Sequence, residues 1–287
     1  MTDLLAIDWG TTNRRLFHLR DGAVVTTERD GRGVTAIPKG GFAAEIANIR
    51  DQHGDLPVLM AGMVGSTLGW QTAPYVPTPA TLATLSVNLL TVAPHTRIIP
   101  GVRTSGARAD VMRGEEVQLL GAVAAGLAPP TALLCQPGTH CKWVTMQAGA
   151  IADFTTAMTG ELFALLRAHG VLAAQLAGEV TPGAAFDDGV TAGREQGLAA
   201  ALFAVRARGV LGSLKIDDAA SYASGILIGA DAAAQLAARP GGHVHILADA
   251  ALGALYARAV ASCGGSASLI DSERAFVAGI VALEKLL

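Results

Sequence analysis

With 287 residues, 51% of them hydrophobic and 16% charged, the chain is long enough for one large or two medium domains with a substantial core, and it is neither disordered nor fibrous in composition. A net charge of −3 leaves no electrostatic footprint for nucleic acid or an anionic membrane, and no run of about 18 uncharged apolar residues is present to cross a bilayer. Cys135, Cys141 and Cys263 are too few and too odd in number for a disulfide framework; with an N-terminus that leads straight into a strand and leaves no room for a signal peptide, they point to a reducing cytoplasm.

Residues 4–7 form a short apolar run suited to a buried strand, and residues 15–19 alternate as a returning strand, so Gly10-Thr11-Thr12-Asn13 is a tight hairpin turn. Glycine admits close backbone approach, and turn amides with the Thr11 and Thr12 hydroxyls can form an anion nest that grips a phosphate. Asp8, at the strand end, is suited to hold Mg²⁺ through its water shell, because that ion takes one or two carboxylates plus phosphate oxygens. An ordinary hairpin with a surface aspartate is the competing reading. No Gly-Lys-Ser/Thr follows, so this is not a Walker A loop.

Asp21-Gly22 signals a type I′ turn into a third antiparallel strand over 23–27, and Phe42, Ile46 and Ile49 then recur at helical spacing before an extended segment at 58–61. Residues 61–70, followed by Pro74, Pro77 and Pro79, are too rich in Gly and Pro for regular structure. They read either as a surface connection or as a substrate pocket in which Gly62, Met63, Val64 and Ser66 supply amides and a hydroxyl and Trp70 a wall. After a strand near 97–100, Val111-Met112-Arg113-Gly114-Glu115-Glu116 opens a helix. Its two acids either complement the helix dipole or offer a general base for a substrate hydroxyl, and Arg113 either forks a substrate carboxylate or pairs with its neighbours.

Ala128-Pro129-Pro130 is the expected boundary between an N-terminal lobe, 1–128, and a C-terminal lobe, 129–287. The opening design then repeats. A strand over 131–135, the turn Gln136-Pro137-Gly138-Thr139-His140, a returning strand over 142–146 and a third over 150–154 suggest duplication around a phosphate-sized ligand, with Lys142 as a cation near the second turn. Cys135, His140 and Cys141 lack the separated pairs of a zinc site. Thr159-Gly160-Glu161 starts a helix in which Glu161 has cap and catalytic readings. Alanine-rich helices are expected over 187–210 and 217–238, with Gly225 and Gly229 allowing either another helix or a nucleotide base to approach, close helix packing being the favoured reading. A strand over 243–247 passes through Ala248 and Gly253 into a helix, a common nucleotide site, and a last strand, 267–270, and helix, 273–287, complete the second lobe.

The Asp8-to-Thr12 turn, the Pro137-to-Lys142 turn and the Leu247-to-Gly253 segment resemble the two phosphate motifs and the adenosine motif of the sugar kinase, Hsp70 and actin superfamily. More narrowly, Met60-Ala61-Gly62-Met63-Val64-Gly65, the 111–116 block, Pro137-Gly138-Thr139-His140-Cys141-Lys142-Trp143-Val144 and Met158-Thr159-Gly160-Glu161 resemble the 2-dehydro-3-deoxygalactonokinase family, almost end to end. That resemblance implies an α/β, two-lobed, actin-like ATPase (ribonuclease H-like) fold, with duplicated mixed sheets flanked by helices and an interlobe cleft. It implies transfer of the ATP γ-phosphate to the 6-hydroxyl of 2-dehydro-3-deoxy-D-galactonate. ATP and Mg²⁺ would be held by Asp8, Gly10, Thr11, Thr12, Asn13, Gly138, Thr139, His140, Lys142, Ala248 and Gly253. Gly62, Met63, Val64, Ser66, Trp70, Arg113 and Glu161 would meet the sugar acid, and Glu115 would be the base, with Glu116 and Asp110 behind it. One departure stands out: Ala248-Asp249-Ala250 replaces the adjacent glycines usual in the adenosine turn.

Three rival readings remain. A kinase of another small sugar or sugar acid would share the phosphate turns. An actin- or Hsp70-like ATPase would need a peptide-binding domain or insertion for which the chain has no room, and a regulator would need a basic helix-turn-helix segment ahead of residue 4. The sequence is silent on oligomeric state, and a homodimer stays open.

Overall fold

The computed structural model describes residues 3–105 and 108–287. In chain order it contains β1 (Asp3–Trp9), β2 (Arg14–Arg20), β3 (Ala23–Asp30), α1 (Phe42–His53), β4 (Val58–Gly62), β5 (Tyr75–Pro77), α2 (Leu82–Ser86), β6 (Leu90–Ala93), β7 (Thr96–Ile98), β8 (Gly101–Arg103), β9 (Val111–Met112) and α3 (Glu115–Ala124). There follow β10 (Ala132–Gln136), β11 (Cys141–Gln147), β12 (Ala150–Ala157), α4 (Thr159–Ala168), α5 (Ala184–Glu195), α6 (Leu198–Val210), α7 (Ile216–Leu236), β13 (His243–Leu247), α8 (Ala250–Ser262), β14 (Ser266–Ile270) and α9 (Ser272–Glu284). Among the described residues no helix is long and apolar enough to cross a membrane.

The chain divides into two compact units, one of residues up to Thr131 with Thr145–Phe154 and Ser272–Leu287, the other of Ala132–Val144 and Thr155–Asp271. A single boundary at residue 128 therefore misses the last helix, which returns to the first unit. The physical reason is a tight helix crossing: a Cβ on Gly121 of α3 would lie 2.1 Å from the Ala275 carbonyl oxygen, and one on Gly279 of α9 2.2 Å from that of Val117. The backbones of α3 and α9 touch directly, and no side chain larger than hydrogen fits between them.

The repeat seen in the sequence is a repeat of sheet order. The six-stranded sheet runs β3-β2-β1-β4-β7-β6 and the five-stranded sheet β12-β11-β10-β13-β14, so each places a three-strand meander beside parallel strands. In the first sheet β1 pairs with β4 and β4 with β7 in parallel. In the second β10 pairs with β13 and β13 with β14 in parallel. The second strand of each meander turns at a residue pair with positive φ, Asp21-Gly22 (49° and 79°) and Ala148-Gly149 (49° and 81°), as a type I′ bend demands.

Alternation along β1 sends Leu5, Ile7 and Trp9 into a core shared with Leu16, Phe42, Ile46, Ile49, Val58, Met60 and Ile98, each such side chain contributing about 1.5–3 kcal/mol on burial. The opposite face is closed by α9, whose Phe276 lies 5.5 Å from Phe17. In the second unit β10, β11 and β13 pack on α5, α7 and α8 through Cys135, Trp143, Phe186, Ile228, Ile246 and Tyr256. There Gly189 and Gly225 let α5 and α7 cross in backbone contact, a Cβ on either falling within 2.2 Å of a carbonyl oxygen.

Three expectations change. The helix expected from Val111 begins at Glu115, because Val102 pairs with Met112 and Arg103 with Val111 in a small third sheet, and Gly114 then turns at φ +108°. The 187–210 helix is two helices, separated where Gly197 takes an extended conformation. The 61–79 loop is ordered by a 3-10 turn at Met63–Gly65 and by the short strand β5.

Candidate functional site

In the first unit the candidate residues gather at the carboxyl end of the parallel pair β1/β4, where Asp8 lies beside Ala61 and Trp9 beside Gly62. The hairpin turn closes through a Gly10 N–H to Asn13 carbonyl bond of 2.9 Å. The carbonyls of Gly10, Thr11 and Thr12 accept from the amides of Val34, Thr35 and Gly33 at 3.0–3.2 Å, and Thr11, Thr12 and Asn13 remain exposed. With its carbonyls committed to the 33–35 segment, the outer side of the turn offers hydroxyls and amide groups, the arrangement an anion requires.

Asp8 Oδ2 lies 2.5 Å from Arg15 Nη2, and Arg15 Nη1 reaches Glu273 Oε1 at 3.4 Å. Burial pushes the Asp8 carboxyl above its ordinary value and the Arg15 guanidinium pulls it back. Arg15 was not among the expected site residues. Its signal was in the hairpin: a four-residue turn sets residue 9 opposite 14 and residue 8 opposite 15.

The amino end of α3 meets the same strand ends without intervening side chains. A Cβ on Gly114 would lie 3.0 Å from Gly62 Cα, and one on Gly62 2.8 Å from the Trp9 carbonyl oxygen. Glu115, half-buried, accepts the Arg113 amide on Oε2 at 2.9 Å. Glu116 has no exposed surface; both its oxygens accept the Gly114 amide, at 2.9 and 2.7 Å. Burial, reinforced by the Glu115 charge, pushes the Glu116 carboxyl up to about 8. Of the two glutamates only Glu115 can meet a ligand. Asp110 bonds the Val111 amide through Oδ1 at 2.8 Å.

The 62–75 loop and Arg113 come together. Arg113 is 9% exposed, donates from Nη2 to the Ala73 carbonyl at 2.8 Å and stacks 4.2 Å over Tyr75, while a Cβ on Gly65 would lie 2.8 Å from Nη1. Its Nε and Nη1 are buried without a hydrogen-bond partner. Val64 is fully buried, and the Ser66 hydroxyl is spent within the loop, donating to the Met63 carbonyl at 2.7 Å. Trp70 is stacked on Phe42 at 6.2 Å and lines a cleft with Ala43, Ile46 and Arg50 of α1.

In the second unit Gly138, Thr139 and His140 are exposed at the turn between β10 and β11. The first turn of α4 packs beneath them: a Cβ on Gly160 would lie 2.4 Å from the Gly138 carbonyl oxygen, and the Glu161 amide donates to the Thr139 carbonyl at 2.9 Å. Glu161 is engaged by this turn, its Oε2 2.6 Å from His140 Nε2. Lys142 is buried and donates from Nζ to Thr156 Oγ1 at 2.9 Å. Cys135 and Cys141 are buried packing residues whose sulfurs lie 3.6 Å apart. At the β13–α8 junction Asp249 caps the helix by accepting the Leu252 amide at 2.9 Å, which accounts for an aspartate where glycine is usual. Ala248 is half-buried, Asp249 and Ala250 are exposed, and Gly253 is buried against Leu269.

A family profile for 2-keto-3-deoxy-galactonokinase matches residues 8–283. The 2-dehydro-3-deoxygalactonokinase of Escherichia coli (strain K12) is 38% identical over 285 residues, covering 96% of this chain and 95% of that protein. A crystal structure of a candidate 2-dehydro-3-deoxygalactonokinase from Sinorhizobium meliloti superposes with a TM-score of 0.91 at 36% identity, covering 98% of both chains. The activator of the 2-hydroxyisocaproyl-CoA dehydratase from Clostridium difficile, solved with bound ADPNP, superposes with a TM-score of 0.53 at 12% identity over 99% of this chain and 96% of that one. This last likeness is one of fold: the chain has the actin-like ATPase fold of the sugar kinases.

Proposed function

The chain belongs to the 2-keto-3-deoxy-galactonokinase family, and from that premise we propose that it is a cytoplasmic kinase that transfers the γ-phosphate of ATP to the 6-hydroxyl of 2-dehydro-3-deoxy-D-galactonate during galactonate breakdown. The observation that carries the reading is the convergence, within the first unit, of the Gly10–Asn13 turn, Gly62 and the Glu115 end of α3 on one strand edge. Phosphoryl transfer needs positioning and charge neutralisation more than covalent chemistry, and this edge supplies an anion nest beside a carboxylate.

Glu115 takes the proton of the 6-hydroxyl as that oxygen bonds to the γ-phosphorus and the bond to the ADP oxygen breaks. Glu116 acts through the backbone, fixing the Gly114 amide and with it the start of α3. Arg113 is the cation for the substrate carboxylate, its unpartnered Nε and Nη1 being the donors, and Gly62, Met63, Val64, Ser66 and Trp70 build the wall beside it. Within the first unit Thr11, Thr12 and Asn13 are a phosphate turn; within the second unit Gly138, Thr139, His140 and Lys142 are another, with Glu161 orienting His140. The segment from Ala248 to Gly253 takes the adenosine on its exposed residues.

Mg²⁺ fits Asp8. The residue is a single partly accessible carboxylate at a strand end beside a phosphate-sized turn, and among the described residues no three His, Cys, Asp or Glu converge to cage an ion. That donor set suits an ion carried in on phosphate oxygens and water. Bound there, Mg²⁺ would neutralise charge on the transferring phosphate.

Incubation with Mg-ATP and 2-dehydro-3-deoxy-D-galactonate, with epimeric sugar acids as parallel substrates, tests the reading. A phosphate monoester at the 6-position of the galactonate compound supports it; turnover of other sugar acids alone replaces the substrate, and ATP hydrolysis without transfer removes the kinase.

A further inference from the structure

Asp231, in the C-terminal half of α7, is 8% exposed and takes no part in the chemistry above. Its Oδ2 accepts a 2.9 Å hydrogen bond from Thr159 Oγ1. Burial pushes its carboxyl upward, and the neighbouring Thr159, Cys141 and Tyr256 oppose the rise; the Trp143 indole Nε1 is buried with no hydrogen-bond partner among the described residues. These neighbours have a common geography. Cys141 and Trp143 are the first and third residues of β11, directly after the Gly138–His140 turn, and Thr159 is the first residue of α4. The next two residues of α4 form the floor of that turn: Gly160 lies backbone to backbone against Gly138, and Glu161 holds the Thr139 carbonyl and the His140 ring. The helix beneath the turn thus begins at a residue held by this carboxylate, and the strand leaving the turn starts beside it.

We propose that Asp231 is the positioning residue of the second nucleotide turn: by holding the start of α4 through Thr159, it sets the Gly138–His140 backbone, which rests on the next residues of that helix, in the shape that receives phosphate. A buried carboxylate served by neutral donors is costly compared with an apolar side chain of similar size, and its neighbours Cys141, Trp143 and Tyr256 belong to an apolar cluster that would have accepted one. What a leucine could not do is hold the start of α4 to α7 at hydrogen-bond distance. The first turn needs no such anchor, since the 33–35 segment pins its carbonyls directly. This role of Asp231 rests on the phosphate reading of the second turn, and the test separates the two.

The experiment measures Mg-ATP affinity by calorimetry, and KM for ATP and for the sugar acid, in the wild type and in Asp231→Asn, Thr159→Val, Thr159→Ser and Lys142→Met, each assayed well below its Tm. Asp231→Asn and Thr159→Val should each weaken ATP binding by about tenfold, the size of one hydrogen bond to a charged group. The KM for the sugar acid should stay within about twofold, Thr159→Ser should restore ATP affinity, and the double variant should be no worse than either single one. Should Asp231→Asn fail to fold, the Thr159 pair carries the same test. A lowered Tm with unchanged ATP affinity in Asp231→Asn or Thr159→Val, while Lys142→Met weakens ATP, overturns the positioning role alone. Unchanged ATP affinity in all the variants, Lys142→Met included, removes the nucleotide reading of the turn and the proposal with it.

Discussion

Asp8 and Arg15 face one another across the first hairpin, Oδ2 to Nη2 at 2.5 Å, with Arg15 tied in turn to Glu273. The guanidinium opposes the effect of burial on a carboxyl at the strand end where an ion on phosphate would sit. Burial raises the Asp8 pKa and Arg15 opposes the rise, so removing the cation raises it further. Arg15→Met should therefore lower activity near neutral pH and move the acid limb of the kcat/KM profile to higher pH, whereas Arg15→Lys should move it less. An acid limb that stays in place in Arg15→Met would show that Asp8 need not be ionised for turnover.

The two adjacent glutamates of α3 should separate cleanly. Glu115→Gln removes a half-exposed carboxylate and should lower kcat by about 10²–10⁴-fold, the usual weight of a general base, with Tm shifted by no more than a few degrees. Retained kcat in Glu115→Gln would end its role as the base.

Glu116 should instead govern how stability responds to pH. Its carboxyl titrates near 8 in the folded protein, against an ordinary value of 4.5. Across that window the folded protein holds a proton that the unfolded chain has released, so stability falls as pH rises, with a limiting slope of about 1.4 kcal/mol per pH unit, and levels off above the folded value. Glu116→Gln cannot ionise and should flatten this part of the Tm-against-pH curve. Parallel curves for the two proteins would contradict the assignment.

Two glycines should fail in opposite ways. Gly121→Ala drives a methyl to within 2.1 Å of the Ala275 carbonyl oxygen and should cost about 1–3 kcal/mol, read as a lowered Tm. Gly138→Ala meets no protein atom within 4 Å and should leave Tm nearly unchanged. Its methyl would stand on the exposed side of the second turn and should raise the KM for ATP several-fold. Unaltered KM in Gly138→Ala would argue against phosphate at that bend.

What could be read from the chain was what is local. Asp8 through Arg15 declares a strand, a turn and a strand within a dozen residues, and the same grammar at 131–154 declares the repeat. Alternation and turn chemistry act over a few residues, so both meanders are legible. The third sheet was not, because strands of two or three residues such as Val111–Met112 carry no periodicity of their own. Nor was the return of α9 to the first unit, since the backbone contact of Gly121 with Gly279 joins positions with no local tie. The candidate site divides in the same way. Thr11, Gly138 and Glu115 are candidates by motif, whereas Asp231 reaches Thr159 across 72 residues from an alanine-rich helix whose local pattern gives no hint of a partner. Burial sorted the glutamate pair, and burial is a property of the packed chain.

The most direct test of the kinase account follows product by ³¹P NMR with Mg-ATP and 2-dehydro-3-deoxy-D-galactonate, comparing the wild type with Asp8→Asn. The wild type should form the 6-phosphate with stoichiometric ADP, and Asp8→Asn should be slowed by on the order of a hundredfold or more, because a metal-bearing carboxylate contributes several kcal/mol to the transition state. A wild type that makes no phosphorylated sugar acid, or an Asp8→Asn variant as fast as the wild type, would contradict it.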